Sequence, residues 1–403
     1  MLDPLRLIAR DPTLRIICII LFLYGTFFSA IGPYQALIAI TVFGLPDAVW
    51  SVVMLINALV TVAASIGIGI ITDQRNNRRA MALFCAVFSA AGGLIVWQIN
   101  TPLAFLLVHL LIWPIGGSIF GQLFALARLG AKQFPADQRD IIMGAVRAIF
   151  ALAFVVALPF WSAAFASGTP LTRIYPVTML IAMAVIALIL LAWPVPATRV
   201  LSSEKTGLSF GASLWEVLTA HILIRLGLLA LISAANVLYM AMMGLLFNAA
   251  PGRNVQDAAL FLTFVTALEV PFMLYMGYAI AHVGRVRLIA FGGVFYGVFL
   301  SVFVLAISQW WVWGLALPAA LGAALILSVP ISYLQDLLAH RPGAGGSLLA
   351  VNQVAGAACA SGIFALGTYL GNYTTVALIG SASAIGAGIA LAIVEIRAGH
   401  WKT

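Results

Sequence analysis

Long apolar runs recur along the whole chain, and each has the roughly 18–25 residues that a helix needs to cross a bilayer. The composition agrees, because 64% of the residues are hydrophobic, 8% are charged and the mean hydropathy is +1.12. Soluble domains carry about 25% charged residues. We therefore predict an all-α polytopic membrane protein with twelve transmembrane helices, near residues 16–39, 49–71, 80–99, 103–127, 141–165, 174–193, 216–243, 258–281, 288–308, 310–334, 344–370 and 372–395.

The basic residues test this number of spans, because cytoplasmic loops of membrane proteins are enriched in Lys and Arg. Alternate predicted loops, starting with the N-terminal one, hold sixteen of the 20 basic residues, and the opposite loops hold only Arg173 and Arg253. This asymmetry predicts that both termini are cytoplasmic. It also accounts for the formal charge of +8, so we expect a lipid bilayer as a partner and no nucleic acid.

A polar interval divides the predicted spans into two sets of six. We predict an N-terminal half at 1–193, a cytoplasmic linker at 194–213 and a C-terminal half at 214–403. Similar loops recur in the two halves, since GIITDQRNNRR begins at Gly69 and GYAIAHVGRVR begins at Gly277, an offset close to half the chain. Arg128 and Asp336 share that offset. The halves therefore read as two six-helix pseudo-repeats.

The two repeated loops pair a glycine in the last helical turn with a basic segment. We expect the glycines to allow close helix packing, Asp73 to accept hydrogen bonds from a helix N-terminus, and the arginines to anchor the loops at the lipid headgroups. The pattern resembles the Gly-x-x-x-Asp…Arg-Arg signature of the major facilitator superfamily, although the Arg pair lies one residue later and Ala281 replaces the second acid. This resemblance implies a conformational motif at Gly69, Asp73, Arg78, Arg79, Gly277, Gly284, Arg285, Arg128 and Asp336.

Longer stretches resemble one family within that superfamily. These stretches are GQLFALAR at 121–128, MGAVRAIFALAFVVALPF at 143–160, ALEVPFMLYMGY at 267–278 and LQDLLAHRPGAGGS at 334–347. Together they are similar to the bacterial sugar efflux transporters, the SET family. The resemblance implies a major facilitator fold and proton-linked export of small sugars or glycosides across the inner membrane. We also expect a monomer.

One carboxylate lies in the middle of an apolar run. Glu269 is about twelve residues, roughly 18 Å, from the cytoplasmic end of the eighth predicted span. A charge at that depth is costly, so an acid there suggests proton coupling or substrate contact, with a static ion pair as the alternative. The resemblance places the fifth and eighth helices opposite each other, which makes Arg147 the expected partner of Glu269. Alternatively, Arg147 extends to the headgroups, as we expect for Arg225.

The resemblance also implies a cavity between the first, fourth, seventh and tenth helices. A sugar requires amide and hydroxyl partners and an aromatic face. His109 and Trp113 share one helix face at i, i+4 spacing. Asn57 and Asn352 could equally form interhelical hydrogen bonds. The candidate substrate-binding residues are Tyr34, Gln35, Asn57, His109, Trp113, Gln122, Asn236, Tyr239, Tyr333, Gln335 and Asn352.

The sequence has no P-loop, no HExxH, no GxSxG and no paired Cys and His residues. Cys18, Cys85 and Cys359 each lie in a separate apolar run and read as small buried residues. We therefore expect no cofactor, no metal site and no enzymatic activity. The alternative function is a multidrug or other small-metabolite exporter of the same fold, and a polytopic membrane enzyme is disfavoured by the scattered acids.

Overall fold

The computed structural model describes residues 3–75, 77–193, 220–336 and 344–399. Within these ranges all regular structure is helical, and no strand is found. Twelve of the described helices are long and apolar enough to cross a membrane. The predicted all-α class and number of spans are therefore confirmed.

The first six membrane helices are α1 Pro12–Ile31, α2 Asp47–Arg75, α3 Arg78–Ile99, α4 Pro102–Ala131, α5 Ala136–Ala166 and α6 Ile174–Ala192. A further helix, Asp3–Arg10, precedes α1 and is called the N-terminal helix below. The α4 helix contains a π-helical turn, Val108–Ile112. Pro114 follows this turn and removes one backbone N–H donor, which gives a local reason for the irregular hydrogen bonding.

The second six are α7 Ala220–Ala249, α8 Val255–Val283, α9 Arg285–Ala306, α10 Ala316–Asp336, α11 Ala344–Leu370 and α12 Tyr373–Arg397. Side-chain caps define several of the helix starts. Asp11 caps α1 by accepting a 2.7 Å hydrogen bond from the backbone N–H of Leu14. Asn254 and Asn372 form capping boxes at α8 and α12. These caps satisfy backbone N–H donors that have no partner within the helix. The Asn372 cap also marks the start of α12, which follows α11 after a junction of only two residues.

The first predicted span is wrong at its C-terminal edge, because α1 ends at Ile31 instead of continuing to residue 39. Gly32 still has helical dihedral angles, but Pro33 lacks the backbone N–H that the next helical hydrogen bond needs, so the regular helix stops there. The chain then forms a short turn, Gln35–Leu37, followed by a π-helical turn, Ile38–Val42.

The chain forms two compact units that do not strictly follow chain order. Unit 1 contains the N-terminal helix, α1, most of α2 and α3 to α6. Its core includes Leu14, Ile17, Cys85, Leu123 and Val146, all fully buried. These residues come from α1, α3, α4 and α5, so unit 1 is a bundle held by apolar packing.

Unit 2 contains α7 to α12 together with Pro33–Ile40 and Leu45–Ala58. The backbone N–H of Gly244 on α7 donates to the Pro33 carbonyl at 3.2 Å. A Cβ at Gly244 would lie 2.7 Å from that oxygen, so only glycine permits this approach. Tyr373 on α12 also donates to Asp47 at 2.9 Å. These contacts explain why two early segments of the chain pack within unit 2.

Candidate functional site

Glu269 lies on α8 in unit 2 and is half-buried. It interacts electrostatically with Tyr239 on α7 and Tyr296 on α9. The Tyr296 hydroxyl donates to Asn236 Oδ1 on α7 at 3.0 Å. Three residues predicted from the sequence, Glu269, Tyr239 and Asn236, therefore belong to one polar cluster. Tyr296 is an additional member that the sequence analysis missed.

Two buried polar atoms near this part of unit 2 have no hydrogen-bond partner among the described residues: Tyr239 Oη and Asn352 Oδ1. The other side of the Asn352 amide does have a partner, since Nδ2 donates to Ser233 Oγ on α7 at 3.4 Å. Ser233, Asn236 and Tyr239 lie within about 9 Å along α7. A buried polar atom left without a partner costs about 1–3 kcal/mol, and ligand binding is one way to recover that cost.

His109 and Trp113 do not join that cluster; the structure places both in the packing of unit 1. The His109 ring is stacked on Phe105, and its Nε2 lies 3.3 Å from the hydroxyl of Tyr175 on α6. Trp113 Nε1 donates to the Ser89 carbonyl on α3 at 3.2 Å. Both side chains are buried, and His109 Nε2 and Trp113 Nε1 have internal partners. Both side chains therefore pack inside unit 1 in this structure, and their contact with a sugar stays a prediction.

Tyr333 on α10 was expected in the substrate cavity, but its hydroxyl donates to Glu395 Oε1 on α12 at 2.7 Å. The same carboxylate oxygen pairs with Arg225 Nε on α7. Arg225 Nη1 also donates to the His221 carbonyl at 3.0 Å. Tyr333 is therefore part of a buried ion-pair cluster. Arg225 is buried and paired, so the expectation that it extends to the headgroups is wrong.

The remaining substrate candidates are divided between the units. Tyr34, Gln35 and Asn57 lie in the early segments that pack within unit 2, where Tyr34 is buried and the other two are half-buried. Gln122 is half-buried on α4 in unit 1. The side chains of Gln335 and Asp336 lie outside what the structure describes.

Arg147 is exposed on α5 in unit 1, whereas Glu269 belongs to unit 2. Arg147 makes at least one interaction in the structure. Its pairing with Glu269 stays a prediction.

In and beside the loop between α2 and α3, Arg79 and Gly69 do not make the contacts that the sequence predicted. Arg79 Nε donates to the Ile189 carbonyl at 3.1 Å, and Nη2 donates to the Leu190 carbonyl at 2.7 Å. Arg79 thus caps the C-terminal end of α6, where a cation is favoured by the helix dipole. A Cβ at Gly69 would meet nothing within 4 Å. The predicted close packing at Gly69 and the headgroup anchoring by Arg79 are therefore corrected.

The remaining residues of the predicted conformational motif lie in different surroundings. Arg78 is buried and makes an interaction, and Arg128 is exposed. The side chain of Asp73 and the surroundings of Gly277 lie outside the described set. Gly284 joins α8 to α9 with φ of +92°, a conformation that favours glycine. A cavity of about 520 Å³ beside this turn is lined by His282, Arg285 and Arg287 among others, so the second loop is concave and basic.

The sequence analysis missed Glu395, Tyr296 and Ser89. Glu395 carried a usable signal, because it is an acid in the last turn of an apolar span. Tyr296 and Ser89 are common residues in membrane helices, and no spacing in the sequence separates them from packing residues. Among the described residues, no group of three or more metal-ligating side chains is found.

Comparisons with known proteins support a transporter. No family model matches the chain. It is 23% identical to the sugar efflux transporter A of Escherichia coli over 300 residues, which cover 73% of each chain. It is 27% identical over 134 residues to a Deinococcus radiodurans protein assigned provisionally as a sugar efflux transporter, and that match covers 33% of this chain and 34% of the relative. The resemblance found in the sequence motifs is thereby confirmed at modest identity.

Solved structures show the fold. The crystal structure of the nucleoside transporter NupG has a TM-score of 0.78 at 14% identity, covering 95% of this chain and 99% of that one. A transporter of the POT family in complex with 5-aminolevulinic acid has a TM-score of 0.73 at 11% identity, covering 95% and 96%. The chain therefore shares the fold of these solved transporters, and its twelve apolar helices are those of a multi-pass membrane protein. The relatives that it matches are transporters.

Proposed function

Because this chain is a relative of the sugar efflux transporters, we propose that it is a secondary active transporter that exports small sugars or glycosides. In this proposal, export crosses the bacterial inner membrane by alternating access, is driven by proton antiport and needs no cofactor. The protein works as a monomer with both termini in the cytoplasm. The observation that carries the proposal is the polar cluster of Glu269, Tyr239, Asn236 and Tyr296 inside unit 2.

The sugar-binding part of the proposal rests on the two orphan atoms of unit 2. Asn352 Oδ1 is an acceptor, and the Tyr239 hydroxyl can donate or accept. Sugar hydroxyls supply both kinds of partner, so one sugar molecule could satisfy both atoms. Asn236 lies beside them on α7, where its Oδ1 already accepts from Tyr296. A hydrocarbon-like drug would leave the two orphan atoms unsatisfied, which favours a hydroxylated substrate.

The proton-coupling part rests on the position of Glu269. A carboxyl group inside an apolar span is favoured in its protonated form, and approach of a cation favours the carboxylate. Its neighbours Tyr239 and Tyr296 are phenols, which can hydrogen-bond either form of the acid. Glu269 therefore loads and releases the transported proton. Arg147 is proposed as the cation that promotes release, and R147K should retain coupling that R147A loses.

A flux panel tests the function. Inside-out membrane vesicles with and without the protein are given labelled mono- and disaccharides, alkyl glycosides and lipophilic cationic dyes, with an imposed pH gradient or none. We expect accumulation of at least one sugar or glycoside that depends on the gradient. If the vesicles accumulate the dyes but no sugar, the protein is a multidrug exporter and the proposed substrate class is wrong. If sugar accumulates to the same level with and without the pH gradient, the proposed substrate class is correct and proton antiport is wrong.

A further inference from the structure

An apolar groove runs beside the N-terminal helix and has no role in the proposed transport cycle. Its volume is about 310 Å³, and it is bounded by the N-terminal helix, α1 and α5. Leu5 and Ile8 come from the first of these, Cys18 and Phe22 from α1, and Ile149 from α5. Arg15 is the single charged residue of the lining. The surface of the groove is therefore almost wholly apolar, and one arginine contributes to its boundary.

The N-terminal helix is attached to unit 1 and does not extend freely from it. Ile8 is buried in the core cluster that also contains Leu14, Ile17 and Cys18. Arg6 and Arg10 lie exposed on the same short helix. A helix with an apolar side packed inward and arginines facing outward is typical of a segment at the membrane interface. The N-terminal helix therefore has the pattern of an interfacial segment.

Arg15 contributes to the lining of the groove, and its guanidinium is held by one hydrogen bond. Its Nη1 donates to the Ala9 carbonyl at 3.3 Å, near the C-terminal end of the N-terminal helix. The side chain is nevertheless exposed, and a guanidinium has five N–H donors, so donors remain for an oxygen-rich anion. Between Arg15 and Phe22 the groove follows α1 for about 10 Å, which suits a hydrocarbon chain leading away from a charged head.

We propose that this groove binds one anionic phospholipid, with its phosphate on Arg15 and an acyl chain between the N-terminal helix, α1 and α5. Arginine pairs with phosphate through parallel charge-assisted hydrogen bonds. Arg6 and Arg10 add positive charge on the N-terminal helix, which favours a lipid with net negative charge over a zwitterionic one. The bound lipid connects the N-terminal helix to two membrane helices of unit 1.

The test uses native mass spectrometry of the purified full-length protein, titrated with phosphatidylglycerol or phosphatidylcholine. R15Q removes the cation, and A9F fills the groove from Ala9, an exposed residue of its lining, while leaving Arg15 in place. R173Q is the matched control, because Arg173 is an exposed arginine at the start of α6. We expect R15Q and A9F each to weaken the tightest phosphatidylglycerol site about tenfold, which corresponds to about 1.4 kcal/mol. R173Q should bind as the wild type does.

Two results would overturn the proposal. One is phosphatidylglycerol binding by folded A9F at wild-type affinity. The other is equal affinity of the wild type for phosphatidylcholine and phosphatidylglycerol, which would indicate ordinary contact with surrounding lipid. If R15Q does not fold, A9F decides the outcome, because its melting midpoint in lipid-free detergent should match or exceed that of the wild type.

Discussion

Arg225 on α7 and Glu395 on α12 form a buried ion pair that joins these two helices within unit 2. Tyr333 on α10 donates to the same carboxylate, so three helices meet at one acid. Two charges inside an apolar bundle are costly to desolvate, and their attraction offsets that cost only while both are present. The pair therefore specifies how α7, α10 and α12 pack, and it is separate from the polar cluster around Glu269.

Removing one partner of this pair should be much worse than removing both. We expect E395L to lower the free energy of unfolding by about 3–5 kcal/mol, because it leaves the Arg225 charge buried and unpaired. The double variant R225M/E395L should recover most of that loss. Y333F removes one hydrogen bond and should cost up to about 1.7 kcal/mol. Thermal melting in detergent measures all three, and equal melting midpoints for E395L and the double variant would contradict the ion-pair account.

Replacing Glu269 by glutamine should separate binding from coupling. E269Q keeps the shape of the side chain but cannot release a proton, so it should exchange labelled sugar between equal pools. It should fail to concentrate that sugar when a pH gradient is imposed. T266V is the matched control on α8, because the Thr266 hydroxyl donates only to the Leu262 carbonyl of its own helix. If E269Q concentrates sugar as well as the wild type and T266V do, the acid is structural.

The substitution G92A should destabilise unit 1 through Trp113. A Cβ at Gly92 would collide with the indole Nε1 and Cδ1 of Trp113, and such overpacking costs about 1–3 kcal/mol. A smaller side chain at 113 makes room, so W113L should cost less in the G92A background than in the wild type. The melting midpoints of the four proteins form a double-mutant cycle. Additive effects would show that the two residues do not pack against each other as described.

Arg79 should affect the transport rate without changing substrate choice. R79Q removes two hydrogen bonds to the end of α6, and we expect a loss of about 0.5–2 kcal/mol in stability, similar to other helix caps. Initial export rates should fall by the same factor for every transported sugar. R79K keeps the cation and should lose less. A changed order of sugar preference in R79Q would indicate that Arg79 contacts the substrate.

The membrane orientation has its own test. Topology reporters fused at Thr101 and Asp257 should indicate a periplasmic location. Reporters fused at Phe134 and His282 should indicate a cytoplasmic location. These positions follow from the distribution of basic residues between alternate loops. Reversal at two consecutive positions would reject the proposed placement of the termini.

The sequence by itself determined the class, the number of spans and most of their edges. Spanning a bilayer is a local requirement on length and hydropathy, so apolar runs such as 288–308 predict a helix without knowledge of their neighbours. Glu269 was also identified locally, because an acid in hydrocarbon is unusual wherever its helix packs. The end of α1 was mispredicted, because the span was bounded by hydropathy alone and the local signal of Pro33 was not used.

Only the tertiary structure decided which polar side chains have hydrogen-bond partners on other helices. His109, Trp113 and Tyr333 have the same side chains as sugar-binding residues, yet His109 Nε2, Trp113 Nε1 and the Tyr333 hydroxyl each have a partner on another helix. Tyr239 and Asn352 keep buried polar atoms without such a partner among the described residues. Hydrogen-bond satisfaction depends on contacts between helices far apart in the chain, and no periodicity within a single helix encodes those contacts.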